Sequence, residues 1–297
     1  MSRPFCAPPA SSVHFVGRAL LPASFCLIFL GSTASRLTAA ELRSQTLVAF
    51  ERYVRLTEAR MKRDRDQPGK FLYIDSLARS TRNQIMTEIQ RGDVYLTELQ
   101  TRDAAGHRLG APDGWIHHWF AVMYVRGATV REAVNVIQDY DQYAKFYKPE
   151  IVRSLVLRHA DNNFLVYVRL QKKTPWLTVS LDMDSDVHYY FAGPRRAYTV
   201  SHSTRIMQVE DAGLPDEHTD LPGQGGGYIW AMDSYWRLEQ DRGGLIVEWE
   251  SVALSRNPPF ALRWLIRPFV RGAIRSTVRA MLIRTRELIQ ARNRRGR

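Results

Sequence analysis

Apolar residues recur along this chain with two different spacings, and the spacing changes near residue 115. Residues 41–64 and 76–92 carry apolar side chains at roughly three- and four-residue intervals, which predicts two amphipathic helices. Residues 94–101 alternate in the manner of an extended chain and predict one strand. Three glycines and a proline lie within 106–114, so we expect the boundary between two regions there.

From residue 115 onward the pattern is typical of many strands and two helices. Thr129 is suited to cap the first helix, and the second is long, from about 260 to 292. The strands are predicted at 115–125, 151–158, 163–171, 177–190, 197–209, 227–239 and 245–254. Their mostly short connectors favour antiparallel hairpins. A strongly curved antiparallel sheet cannot fill its own concave side, so we expect the last helix to lie across it and to leave an elongated cavity.

Two segments of this second region resemble a known superfamily. Segment 136–149, VIQDYDQYAKFYKP, is similar to the passage from helix to second strand in the START, Bet v 1 and polyketide cyclase superfamily (SRPBCC). Segment 236–256, followed by Pro258 and Trp264, resembles the last two strands and the closing helix of that superfamily. With the element order, the resemblance covers residues 115–291.

The resemblance implies an α+β protein with the helix-grip fold, a curved antiparallel sheet of about seven strands wrapped on a long C-terminal helix. It also implies a cavity for a lipid, sterol, quinone or polyketide, but no shared catalytic residue. We therefore expect a helix-grip START-like domain at 113–297. A mainly helical N-terminal extension at 41–112 lies outside the resemblance, which says nothing of its role.

Residues 1–40 have the order of regions found in a secretory signal peptide. They contain three arginines and no acidic residue, an apolar stretch at 19–30, and small residues that end at Ala40. The apolar stretch is shorter than the roughly 20 residues that a membrane-spanning helix needs. Both cysteines, Cys6 and Cys26, lie in this segment. We expect cleavage after Ala40 and a mature protein, periplasmic or secreted, without a thiol.

The basic charge of the chain is concentrated at its C-terminal end. The formal net charge is +12, yet 260–297 alone contains 11 arginines and one glutamate, and residues 41–259 sum to −1. An exported protein with a nearly neutral body is not expected to bind nucleic acid. The charge instead raises a question about one face of the closing helix.

Large apolar side chains on the predicted strand 227–239 are candidates for the cavity lining. Trp230, Met232 and Trp236 occupy alternating positions of this strand and are expected to share the concave face. Phe269 on the closing helix is a further candidate. Aromatic side chains serve both cores and pockets, so the same residues could simply pack under the closing helix.

Glu250 is expected on an otherwise apolar strand face, together with Glu248. A carboxylate in such surroundings is costly unless it is paired, and Arg205 or Arg237 on neighbouring strands could be its partner. The pair would be either a polar anchor for a ligand head group inside the cavity or a structural ion pair at the sheet rim.

The closing helix carries an arginine at every fourth position. A spacing of four drifts by about 40° per step, so the residues stay on one broad face, opposite an apolar side. They are Arg263, Arg267, Arg271, Arg275 and Arg279. This arginine stripe is either a solvated outer face or a surface that docks peripherally on anionic membranes.

No metal or cofactor site is predicted. Asp182, Asp184 and Asp186 alternate on a strand and lack the glycine and glutamate of a calcium loop. His117 and His118 are neighbours on a predicted strand and therefore point to opposite faces.

The leading function is non-catalytic binding of an apolar or amphipathic small molecule between the sheet and the closing helix. The alternative is a cyclase or lyase in which Glu250, His188 or His202 acts as general acid or base in the cavity. A third interpretation is a peripheral membrane protein that uses 41–110 and the arginine stripe for its contacts.

Overall fold

The computed structural model describes residues 44–173, 178–219, 228–258 and 263–295, without the side chains of residues 263, 265 and 295. The predicted signal peptide lies outside the described residues. The five helices are α1 (Ser44–Asp66), α2 (Arg79–Gln90), α3 (Val130–Ile137), α4 (Tyr143–Phe146) and α5 (Arg263–Arg295). Short 3-10 helices lie at Tyr73–Ser76 and Tyr140–Gln142. The strands are β1 (Val94–Glu98), β2 (Gly114–Arg126), β3 (Ile151–Ala160), β4 (Asn163–Lys173), β5 (Thr178–Phe191), β6 (Arg196–Glu210), β7 (His218–Thr219), β8 (Ile229–Asp241) and β9 (Gly244–Arg256).

All nine described strands form one antiparallel sheet. Its order is β1-β2-β9-β8-β6-β5-β4-β3, and β7 pairs with β6 beside this path. The α+β class, the curved sheet and the long C-terminal helix confirm the predicted helix-grip architecture. All seven predicted strands after residue 113 are present. The sheet has two further strands: β1, from the N-terminal segment, pairs over the whole length of β1 with β2, and the short β7 pairs with β6.

Local sequence accounts for several element ends. Thr129 caps α3 as predicted: its hydroxyl accepts from the Glu132 amide, while the Glu132 carboxylate accepts from the Thr129 amide. The turn between β8 and β9 places Gly243 at a φ of 82°, a conformation that favours glycine. No described helix combines the length and the apolar character that a membrane crossing needs.

Each face of the sheet is covered by different helices. On one face, here called the α5 face, Ala121, Met123 and Val247 pack with Val278 and Leu282 of α5. The other face is called the α1 face, because α1 and α2 lie on it. There one cluster joins the α2 side chains to Phe120 and Val122, and a second joins the α1 side chains to Tyr235, Val252 and Leu254. The N-terminal segment thus covers a sheet face that would otherwise expose apolar area to water. The domain boundary predicted near 112 stays a prediction.

Candidate functional site

The predicted cavity residues lie on both faces of the sheet. Trp236 packs in the core of the α5 face, opposite Trp249. Met232 pairs with Ala253, which pairs with His117, so it also belongs to the α5 face. Trp230 instead packs with the α1 cluster. A register shift between Ile229 and Ala231 breaks the alternation on which the shared face was predicted.

Glu250 lies on the α1 face, away from α5. Its side chain is fully buried and pairs with Arg237 (Nη2 to Oε2, 3.0 Å), with Arg60 of α1, and with His118 (Nε2 to Oε1, 2.7 Å). Arg205, the other predicted partner, is an exposed side chain bound to Asp184. Of the two partners considered, the structure therefore pairs Glu250 with Arg237.

Glu248 completes a buried charge network under α1. Its oxygens accept from Arg237 Nε (3.0 Å) and from the backbone amides of Tyr73 (2.8 Å) and Ile74 (3.0 Å). Burial raises the pKa of Glu248 to about 7, against the pull of Arg237 and the two amides. Burial would also raise the pKa of Glu250, but Arg60, His118 and Arg237 together outweigh it and lower the pKa to about 2. The network therefore anchors the N-terminal segment to the sheet.

The sequence did not indicate that His118 connects two elements. Its Nδ1 lies 2.9 Å from the Tyr53 hydroxyl on α1, and that hydroxyl also accepts from the Thr101 amide. Adjacent histidines on a strand were predicted to face opposite ways, and they do: His118 lies on the α1 face and His117 on the α5 face. Only the folded chain brings Tyr53, His118 and Glu250 into one hydrogen-bonded series.

A cavity of about 230 Å³ lies at the edge of the sheet, where β1 stops but β2 continues. β1 pairs with Trp119 to Met123 of β2, so the first residues of β2 have no β1 partner. The chain from Leu99 to Ala111 and α5 enclose the space that remains. We call this cavity the notch. Its lining includes the side chains of Glu98, Leu99, Trp115, His117 and Arg271.

His117 is a buried polar residue of the notch lining, which also includes His118. Its Nε2 lies 2.7 Å from the Ser255 hydroxyl, and its ring packs on Trp115 with a centroid separation of 4.2 Å. Burial, with a further contribution from Arg271, lowers the pKa of His117 to about 4. The imidazole is therefore neutral at physiological pH.

Two arginines of the stripe face the sheet and not solvent alone. Arg271 and Arg267 precede Val278 by seven and eleven residues, which places them within about 20° of it around the helix. Arg271 Nε lies 2.9 Å from a Glu98 oxygen, and the Arg267 guanidinium lies 5.4 Å from the centre of the Trp115 ring. Both side chains are exposed to solvent, and the drift of a four-residue spacing around the helix also brings them into contact with the sheet edge.

The other helix candidates lie elsewhere. Phe269 is 60% exposed and points away from the buried side of α5. Arg275 is exposed and Arg279 is half-buried. The side chain of Arg263 lies outside the described part of the structure.

The histidines considered for catalysis do not line the notch. His188 Nδ1 lies 2.6 Å from Asn163 Oδ1 at an exposed position. His202 lies on the α1 face, with Nδ1 3.1 Å from Asp233 and Nε2 3.4 Å from Glu58. Across the described residues, no three His, Asp or Glu side chains are grouped so as to hold a metal ion.

No protein-family model matches this sequence, and no curated protein matches it. Among solved structures, the chain is similar to a STAR-related lipid transfer protein from Xanthomonas axonopodis, with 16% identity over 66% of this chain and 98% of that chain, at a TM-score of 0.41. It is similar to the Zhui aromatase/cyclase from a Streptomyces species, with 13% identity over 60% and 96% of the two chains and a TM-score of 0.42. It is also similar to the lipid transfer and protein localization domain of human StarD13, with 12% identity over 72% and 98% and a TM-score of 0.40.

Proposed function

We propose that this protein binds an amphipathic small molecule between the sheet and the first half of α5, and that the notch is the polar end of the site. The main support for this proposal is that α5 packs unevenly against the sheet along its length. Val278 and Leu282 are buried against the sheet, whereas Trp264, on an earlier turn, is 76% exposed. The first turns of α5 are therefore the part of the helix that the core holds least.

The size of the notch supports binding of part of a ligand. Pockets for drug-sized molecules measure about 300–1,000 Å³, and the notch is smaller, at about 230 Å³. The described contacts of the nearby α5 side chains are the Arg271–Glu98 pair and the Arg267–Trp115 stack. Both are half-exposed or exposed polar contacts, which are weak. The first half of α5 can therefore move away from the sheet, and an apolar tail can then enter beside the notch.

Binding is better supported than chemistry. Glu250, His188 and His202, the predicted general acids or bases of a cyclase or lyase, all lie outside the notch lining. Nucleic acid is not among the partners that we propose.

Native mass spectrometry and extraction of the purified protein test the binding proposal. We expect an amphipathic molecule to co-purify and to be lost in Gly110→Leu, because Gly110 lines the notch and a Cβ there meets no atom within 4 Å. Gly272→Leu is the matched control, since Gly272 also has open space but is exposed on α5. A protein that carries no ligand and binds no added amphiphile contradicts the proposal.

We also propose peripheral contact with anionic membranes. The supporting observation is that α5 exposes two large aromatic side chains, Trp264 and Phe269, on the helix that carries the arginines. Aromatic side chains beside arginines suit the interface of an anionic bilayer.

Liposome flotation tests this contact. We expect binding to vesicles with anionic lipid, loss of binding in high salt, and loss in Trp264→Ala/Phe269→Ala. Phe191→Ala is the control, because Phe191 is similarly exposed at the end of β5. Equal flotation with neutral and anionic vesicles removes the role of the arginines.

Export rests on the sequence of residues 1–40 and is likewise a proposal. N-terminal sequencing of the protein from fractionated cells is expected to begin at Glu41 in the exported fraction. An intact N-terminus at Met1 in the cytosolic fraction contradicts it.

A further inference from the structure

The lining of the notch carries one arginine, Arg271, and one carboxylate, Glu98. A second arginine, Arg267, lies outside the lining and stacks on the lining residue Trp115, so the positive side chains in and on this lining outnumber the negative one. His117 adds no charge, because burial keeps its imidazole neutral. A molecule with a negative end therefore gains more from this lining than a neutral one.

Arg271 has hydrogen-bond donors that are not used by other described residues. Its Nε faces Glu98 at 2.9 Å, and no hydrogen bond joins Nη1 or Nη2 to another described residue. A guanidinium presents five N–H groups in a planar fork that fits the two oxygens of a carboxylate or phosphate. The Glu98 and Arg271 side chains are 38% and 54% exposed, so their pair is weak and can be exchanged for a ligand.

His117 can donate a second hydrogen bond to the same ligand. The Ser255 hydroxyl, 2.7 Å from Nε2, can act as donor to that nitrogen, and the ring then carries its proton on Nδ1. The Ser255 hydroxyl can instead donate a hydrogen bond to the Trp115 carbonyl oxygen, 3.4 Å away, and His117 Nε2 then donates to that hydroxyl. The His117–Ser255 pair can therefore hold the imidazole proton on Nδ1, from which it is donated to a ligand oxygen.

We propose that the notch recognises an anionic oxygen head group, a carboxylate or a phosphate, of an amphiphilic ligand, and that Arg271 exchanges Glu98 for this head group while His117 donates to it. This inference rests on the proposed function, to which it adds the chemical class of the head group. The apolar tail then extends towards the α5 face.

Calorimetric titration with single-chain amphiphiles below their micelle concentrations tests the assignment. The ligands are dodecanoate, dodecyl phosphate and dodecanol, with acetate and inorganic phosphate as tail-free anions. We expect both charged amphiphiles to bind about tenfold tighter than dodecanol, as a charge-assisted hydrogen bond allows. If acetate or inorganic phosphate binds as tightly as the charged amphiphiles, the notch is a site for small free anions, and the proposal of an amphiphilic ligand is overturned.

Variants separate Arg271 from general effects on the fold. Arg271→Gln is expected to weaken binding of dodecanoate and dodecyl phosphate more than binding of dodecanol, and Arg271→Lys to restore part of the preference for anions. Glu98→Gln is expected to strengthen anion binding, because the competing carboxylate is gone. Arg294→Gln is the matched control, since Arg294 is exposed near the far end of α5.

The outcomes separate the assignment of an anionic head group from the proposed binding of an amphipathic ligand. If dodecanol binds as tightly as dodecanoate, or if Arg271→Gln weakens both equally, the head-group assignment is overturned and the binding function stands. If no amphiphile binds the wild-type protein, both are overturned.

Discussion

Replacement of Arg237 by methionine should destabilise the protein strongly. Arg237 is 1% exposed and joins two buried carboxylates, with Nε 3.0 Å from Glu248 and Nη2 3.0 Å from Glu250. Its Nη1 has no hydrogen bond and lies 3.8 Å from Asp64. Methionine keeps an unbranched apolar stem but is shorter than arginine, and it removes the charge that both glutamates face.

The cost falls mainly on Glu248. Glu250 keeps Arg60 and His118 in Arg237→Met, whereas Glu248 keeps only the amides of Tyr73 and Ile74 among its described hydrogen-bond partners. Removal of one partner from a buried ion pair costs about 3–5 kcal/mol. We expect a loss in that range in the free energy of unfolding.

The loss should depend on pH, because the pKa of Glu248 is raised. Burial holds it at about 7 in the folded protein, above the ordinary value of 4.5, and removal of Arg237 raises it further. A raised carboxyl pKa means that the folded state binds the proton more tightly than the unfolded state. Relative to the wild type, the destabilisation is therefore full above the variant's folded pKa. It shrinks as the pH falls through that pKa to the wild-type value of about 7, below which Glu248 is protonated in both proteins.

Urea denaturation of Arg237→Met at pH 8 and at pH 5.5, followed by tryptophan fluorescence, measures both effects. The double variant Arg237→Met/Glu248→Gln should recover about 1–3 kcal/mol at pH 8, since the amide stays neutral and still accepts from the backbone. Arg205→Met is the control, because Arg205 makes an exposed pair whose loss costs about 1 kcal/mol or less. A loss below about 1 kcal/mol at pH 8, or a loss equal at both pH values, would contradict the role of Arg237 in compensating the buried charge of Glu248.

Substitutions at three further positions can be tested by the same urea measurements. Gly244→Ala should cost about 1–3 kcal/mol, because a Cβ there would lie 2.6 Å from the carbonyl oxygen of Val125; an unchanged midpoint would contradict this. Thr129→Ala should cost about 1 kcal/mol through loss of the α3 cap, and Thr129→Ser should recover most of it. The hydrogen bond to Asp233 raises the pKa of His202, so its stabilisation is full below about pH 6.5 and is lost as the pH rises through the folded pKa. His202→Gln should remove that part of the pH dependence, and an unaltered profile between pH 6 and 8 would show that the contact does not contribute.

Much of the secondary structure could be predicted, because it depends on local pattern. The periods of the apolar positions place both N-terminal helices, all seven long strands after residue 113 and the closing helix. The Thr129 cap follows from adjacent residues alone. The face of Trp230 could not be predicted, because a single bulge residue in β8 reverses which way it points.

The candidate site depended more on contacts distant in sequence. Glu250 was expected to need a cation, and the sequence offered Arg237, but Arg60 lies 190 residues away on a helix outside the resemblance. Arg271 and Glu98 are likewise partners through the closure of α5 over the sheet edge. No periodic pattern encodes such pairs.

The order and type of the elements and the basic charge of the closing helix can be read from the amino-acid sequence, because each depends on residues a few positions apart. The contacts that the charges make follow from the fold. The end of β1 at Glu98 opens the notch, and the drift of a four-residue spacing around α5 turns Arg267 and Arg271 inward. Whether a side chain meets solvent, a partner or a cavity depends on the packing of elements that are distant in the chain, which no local pattern records.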